Sequence, residues 1–135
     1  MALYELGELE RDQRRFPQAE QLYTKSLAIV ERTVGPEHRG ASYVLASLGQ
    51  NRLAAGDARG AVAPLERAEA LQTRDHLDPA RLADTRFSLA QALRAMAGDP
   101  ARAKTLAEQA AEGYRTVGTR REKRLAEVTA WLQAS

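Results

Sequence analysis

Leu45 to Leu71, LASLGQNRLAAGDARGAVAPLERAEAL, decides how the rest of the chain is read. Leu45, Leu48 and Gly49 are followed by Gly56-Asp57, and these by Ala61 and Ala68. The spacing predicts two antiparallel helices joined by a tight turn. Small residues stand where the backbones approach, and large apolar residues fill the space between. The same skeleton occurs before and after it. Leu3, Leu6 and Gly7 return 42 positions later as Leu45, Leu48 and Gly49, and Ala19 returns as Ala61 and Ala103. Ser26, Ala68 and Ala110 form a second small-residue series, and Gly56 returns as Gly98. Several matches at one period define a repeat architecture.

The residues Leu6-Gly7, Phe16, Ala19, Tyr23 and Ser26 resemble the signature of the tetratricopeptide repeat. That repeat is usually about 34 residues. The longer period here, with the turn Gly35-Pro36-Glu37-His38, is similar to the kinesin-light-chain subclass. The tail from Arg86-Phe87-Ser88-Leu89-Ala90 to Leu125-Ala126-Glu127-Val128 resembles the C-terminal repeats of some bacterial serine/threonine kinases. The chain departs from the pattern at Glu10 and Arg52, which occupy a position usually aromatic. In the third copy, Leu89-Ala90 is one place out of step with Ala103. One residue has been added near Gly98-Asp99-Pro100 and one removed from the preceding loop. The resemblance implies an all-α, right-handed α-solenoid of three helix-hairpin repeats, about 1–38, 39–78 and 79–118. A capping helix follows at about 120–134. The start at Leu3 has no polar capping layer, which a solenoid end needs. We therefore expect a piece of a longer protein.

Seven helices are expected, with breaks near residues 15, 35, 56, 77, 98 and 118. Asp57, Asp78 and Asp99 are placed as N-caps, and Pro17, Pro79 and Pro100 in first turns, where a missing N–H costs nothing. Pro64 falls inside the fourth helix and should free the carbonyl of Gly60 and bend the helix locally. Leu45, Leu65, Ala68 and Leu71 point inward, with Gln72 to Leu77 as a charged connector. Leu82, Leu89, Leu93 and Met96 are the stripe of the fifth helix. Trp131, beside Leu125, Val128 and Leu132, is expected to pack as a capping residue.

The 135 residues carry a net charge of +2, 28% charged and 5% aromatic residues, and no cysteine. Disulfides and thiol chemistry are excluded, and so small a net charge supplies no long-range steering by itself. No apolar run is long enough to span a membrane, and the start lacks the pattern of a signal peptide. A cytoplasmic location is the default. His38 and His76 lie in connectors without the helical spacing of a zinc motif, and no phosphate loop or nucleophile elbow occurs. An enzyme, a cofactor and a metal are not expected. Arg115, Arg120, Arg121, Lys123 and Arg124 form a basic cluster that could meet phosphates, but Glu112, Glu122 and Glu127 interrupt it. A nucleic-acid-binding repeat stays a lesser alternative.

The resemblance further implies that the first helix of each repeat lines a concave face. Tyr4, Glu8 and Arg11 then come from the first copy, Tyr43, Ala46, Gln50 and Leu53 from the second, and Phe87, Gln91 and Arg94 from the third. Tyr4, Glu8, Ala46 and Gln50 stand where a two-carboxylate clamp would need Lys and Asn. The expected function is a protein-interaction module holding a peptide segment or partner protein in this groove, as the sensory or scaffolding tail of a signalling kinase. Homo-oligomerisation through the open N-terminal repeat, with Leu3, Leu6 and Leu9 on its face, is the alternative. Phe87 lies about 160° from Leu89 at about 100° per residue. It should be partly exposed, or packed against the neighbouring repeat.

Overall fold

Each break in the helical pattern carries a residue with left-handed backbone, and these residues form two series at the repeat period. Arg14, Gly56 and Ala97 have φ of 61°, 94° and 55° in the turns inside hairpins. Gly35, His76 and Gly118 have φ of 101°, 51° and 81° in the connectors between them. The computed structural model describes residues 2–134; Met1, Ser135 and the side chains of Thr119 and Arg120 lie outside the described residues.

The helices are α1 (Leu3–Asp12), α2 (Phe16–Thr33), α3 (Arg39–Ala54), α4 (Ala58–Arg74), α5 (Pro79–Ala95), α6 (Pro100–Val117) and α7 (Glu122–Gln133), with a 3-10 turn at Gly118–Arg121. No strand occurs among the described residues. Consecutive helices pack on one another throughout, and α1, α3 and α5 also touch in sequence. The result is an α-solenoid of hairpins α1–α2, α3–α4 and α5–α6, with α7 packed on α6. Asp57, Asp78 and Asp99 cap α4, α5 and α6, accepting from Gly60 N, Ala80 N and Ala101 N at 2.8, 2.9 and 3.0 Å.

Small residues let the paired backbones approach. Ala19, Ala61 and Ala103 are buried, as are Ser26, Ala68 and Ala110. Gly7 lies against the Tyr23 ring, and Gly49 against Leu65. In the third hairpin the matching residues are Ala90 and Ala107, both fully buried. The pair that is Gly with a large partner in the first two hairpins is Ala with Ala in the third. A large side chain against bare backbone is thus replaced by two methyl groups, a smaller pair that stays fully buried.

The turns comprise residues 13–15, 55–57 and 96–99, and the connectors 34–38 and 75–78. The third turn is therefore one residue longer and the second connector one shorter, as the out-of-step register requires. The positive φ nevertheless falls on Ala97, not on Gly98. Gly98 is the inserted residue and does not repeat the conformation of Gly56.

α4 runs unbroken through Pro64, which is buried. The Gly60 carbonyl, left without its helical donor, accepts from Arg52 Nη1 at 3.1 Å. The same guanidinium donates to both Glu20 carboxylate oxygens on α2, at 3.2 and 2.8 Å. Those bonds hold Arg52 above the ordinary arginine range, burial acting against them. The residue that departs from the aromatic pattern thus ties two hairpins and satisfies the helix defect. Gln72, read as connector, belongs to α4 and is buried. Leu6, Leu9, Ile29 and Val34 are the large apolar residues that stay exposed, at 44–51%. They lie on α1, on α2 and just after α2, at the N-terminal end of the stack.

Candidate functional site

The first helices carry the candidate residues at helical spacing. Arg11 on α1 donates to the Ser47 carbonyl at 3.3 Å and to Gln50 Oε1 at 3.1 Å, both on α3. It also pairs with Glu8 at 3.4 Å. Ser47 Oγ donates to the Tyr4 hydroxyl at 3.2 Å. Tyr43 lies under the Arg81 guanidinium, 4.6 Å from its ring centre. Tyr4, Glu8, Arg11, Tyr43, Ala46 and Gln50 consequently border one cavity of about 220 Å³. Leu53 and Gln91 border an adjoining trough of about 660 Å³. The two hollows share Arg11, Gln50 and Asp84. Together they make a groove across α1, α3 and α5.

Two tyrosine–carboxylate pairs stiffen it. Tyr23 donates to Glu8 at 2.5 Å, and Tyr114 donates to Asp84. Burial, then the bonded carboxylate, pushes both phenols well above the usual tyrosine range. Each acid also has an arginine: Arg11 for Glu8, and Arg124 for Asp84 at 3.4 Å. Arg81 and Arg121 border the cavity as well. Burial lowers Arg81 most, but the hydrogen bond and charge of Tyr4 together with Tyr43 and Asp78 exceed that and hold it above the ordinary range.

Phe87 and Arg94 are not in the groove. Phe87 is 2% exposed. It meets Trp131 edge-to-face, with ring centres 5.9 Å apart, and Arg124 lies over its face at 5.4 Å. The register is not the cause, since the loop lengths keep the one-residue shift. α7 packs chiefly on α6 and reaches α5 through Trp131, which covers Phe87, so α5 has buried residues nearly all round. Arg94 stacks on Trp131, 3.2 Å from the ring centre, and donates to its carbonyl at 3.0 Å. It borders a separate apolar hollow with Pro100, Ala101 and Trp131. Trp131 is partly buried against the core.

The basic cluster does not form one surface. Arg115 pairs with Glu112, and Arg124 turns inward to Asp84 and Glu127. Arg121 borders the groove, Lys123 is exposed, and the Arg120 side chain lies outside the described residues. His38 caps α3, its Nδ1 accepting from Gly40 N at 3.0 Å, and is exposed like His76. Sequence reasoning missed Arg81 and Gln72. Gln72 could have been found from the period: Val30 and Tyr114, one repeat away on either side, are inward positions.

A family model described as tetratricopeptide repeat matches residues 1–74. No curated protein matches the chain. Among solved structures, the chain is similar to a Podosopora anserina protein described as having kinesin light chain nearly identical TPR-like repeats. The TM-score is 0.80 at 21% identity, covering 96% of this chain and 62% of that one. A variant of the same protein gives a TM-score of 0.80 at 21% identity, covering 96% of this chain and 61% of that one. The chain thus spans less than two thirds of the length of these neighbours, whose likeness is one of fold.

Proposed function

The chain belongs to the tetratricopeptide repeat family, and on that premise we propose that the groove across α1, α3 and α5 holds an extended segment of a partner protein. Repeats of this family are interaction scaffolds, and helix faces of this kind offer side-chain pockets and polar anchors to a peptide. The observation that carries the reading is the convergence of Tyr4, Glu8, Arg11, Tyr43, Gln50, Leu53 and Gln91, from three helices, on two adjoining hollows. The module serves as the sensory or scaffolding part of a larger cytoplasmic signalling protein such as a kinase. Catalysis is no part of this reading. Among the described residues no helix is long and apolar enough to cross a membrane.

Peptides selected by display on the folded chain test this. Nuclear magnetic resonance titration should move Tyr43, Gln50 and Gln91. Tyr43→Ala and Gln50→Ala should each weaken binding about tenfold, or roughly 1.4 kcal/mol, without changing the thermal midpoint. Selected peptides whose shifts map to the outer faces of α2, α4 and α6 would refute it.

A second reading is self-association through the N-terminal end. Half-exposed Leu6, Leu9, Ile29 and Val34, all preceding the second hairpin, favour it, since exposed apolar surface gathered at one end of a stack suits an interface. Light scattering over a concentration series should show a dimer that Leu9→Lys dissolves. A monomer at all concentrations ends this reading.

A further inference from the structure

Gln72 is 1% exposed, yet neither atom of its carboxamide has a hydrogen-bond partner in the protein. A buried amide without partners is costly and calls for an explanation. Its position supplies one. One repeat later stands Tyr114, whose hydroxyl reaches across to Asp84 on the first helix of its own hairpin. One repeat earlier stands Val30, which needs no partner. In the second hairpin the residue matching Asp84, with the one-residue shift, is Tyr43, and it is stacked with Arg81 instead. The third hairpin fills this place with its own tyrosine and carboxylate. The second leaves a shorter side chain, and a cavity of about 220 Å³ that Gln72 borders.

We infer that this cavity is a subsite for one asparagine or glutamine side chain of the bound segment, paired amide to amide with Gln72. This rests on the groove reading above and goes beyond it. A primary carboxamide offers a donor and an acceptor on one edge, and that is the complement of an amide lacking both. A carboxylate satisfies only the Gln72 nitrogen, leaving its oxygen facing another acceptor. Glu8 and Asp84 at this cavity are balanced by Arg11, Arg81 and Arg121, so the hydrogen-bond pattern, not charge, sets the preference. An apolar side chain satisfies neither atom. A neutral amide brings no charge to desolvate, and Arg121 at the border can donate to the carbonyl of the same residue.

The test uses the whole chain and four pentapeptides, Ala-Ala-X-Ala-Ala, with X as glutamine, asparagine, glutamate or leucine. Nuclear magnetic resonance reads the Gln72 side-chain amide and the amides of Tyr43 and Gln50. The glutamine or asparagine peptide should bind at least tenfold tighter than the leucine one and shift the Gln72 side-chain signals. In Gln72→Met and Gln72→Leu that preference should vanish while leucine-peptide binding is kept. Two variants guard against one that folds poorly, and both should melt no lower than the parent. Equal binding of all four, with shifts at Tyr43 and Gln50, overturns the subsite and leaves the groove reading standing. Tightest binding of the glutamate peptide overturns it in favour of a carboxylate site. A preference that survives in both variants overturns the role of Gln72, and no shifts with any peptide overturn both readings.

Discussion

Gly49 and Leu65 offer the sharpest test of how the hairpins are built. A Cβ on Gly49 would lie 2.4 Å from Leu65 Cγ, 2.9 Å from its Cδ2 and 3.2 Å from the Ala61 carbonyl oxygen. Carbon–carbon contact is comfortable at about 3.5–4.0 Å, so the overlap is about 1 Å. It falls on the branch point of a fully buried side chain, which cannot swing aside without moving α3 from α4. Overpacking of this kind costs about 1–3 kcal/mol or more, while Gly→Ala within a helix returns about 1 kcal/mol. Because the clash is with a branch point and a backbone oxygen, the upper part of the range applies. Gly49→Ala should lose about 1–2 kcal/mol net. Leu65→Ala alone should lose about 2–5 kcal/mol, since it opens a cavity. The double variant reproduces the Ala90 and Ala107 pair of the third hairpin. The new methyl fills part of the cavity and meets no Leu65. The double variant should therefore be more stable than Leu65→Ala, with a favourable coupling of about 1–3 kcal/mol. Urea unfolding followed by far-UV circular dichroism measures all four proteins. Gly49→Ala as stable as the parent, or a double variant less stable than Leu65→Ala, would refute the reasoning.

Other substitutions probe other contacts. Arg52→Ala should cost about 1–3 kcal/mol, because it orphans the Gly60 carbonyl, and less in a Pro64→Ala background, where the helical donor is restored; equal costs in both backgrounds would argue against the link. Ala97→Gly should stabilise by about 1–2 kcal/mol by relieving a left-handed alanine, and Gly98→Ala should not be penalised in that way; thermal melts of the two decide it. Tyr23 and Tyr114 have raised native pKa values. Their contribution is thus complete below the unfolded pKa of about 10 and is lost as pH rises towards the native values. Denaturation at pH 8 and pH 11 should show Tyr23→Phe losing less stability over that interval than the parent, and an identical loss would count against the Glu8 bond.

Helix positions, the aspartate caps and the buried small residues were legible because each follows from local chemistry at a fixed period. Asp57, Asp78 and Asp99 sit before helices and cap them. That Tyr4, Glu8, Arg11, Tyr43 and Gln50 lie near one another was legible, because their surroundings are set by the repeat itself. Phe87 and Arg94 were not, since both depend on where α7 docks, and a helix's own periodicity does not say which neighbour it covers. The hydrophobic stripe of α5 suggested one buried side, yet Ser88, Thr85 and Phe87 are buried on others. Ala97 was hidden for a different reason: glycine is the usual carrier of positive φ, and the glycine next to it drew the assignment. Gln72 was read by its polarity as connector, and only its period with Val30 and Tyr114 pointed inward.

The contact of Arg52 with the Gly60 carbonyl sets an order on how such a sequence can change. Starting from a non-proline residue at 64, an arginine at 52 can arrive first, gaining its bond to Glu20 and awaiting nothing. Proline can then enter, because the carbonyl that it releases already has a second donor within reach. In the opposite order the proline arrives to an orphaned carbonyl, and the intermediate is the least stable member of the series. Once both are present, Arg52 is harder to lose than to gain. The step works as a ratchet: a change that began as a surface ion pair becomes fixed by what was later built upon it.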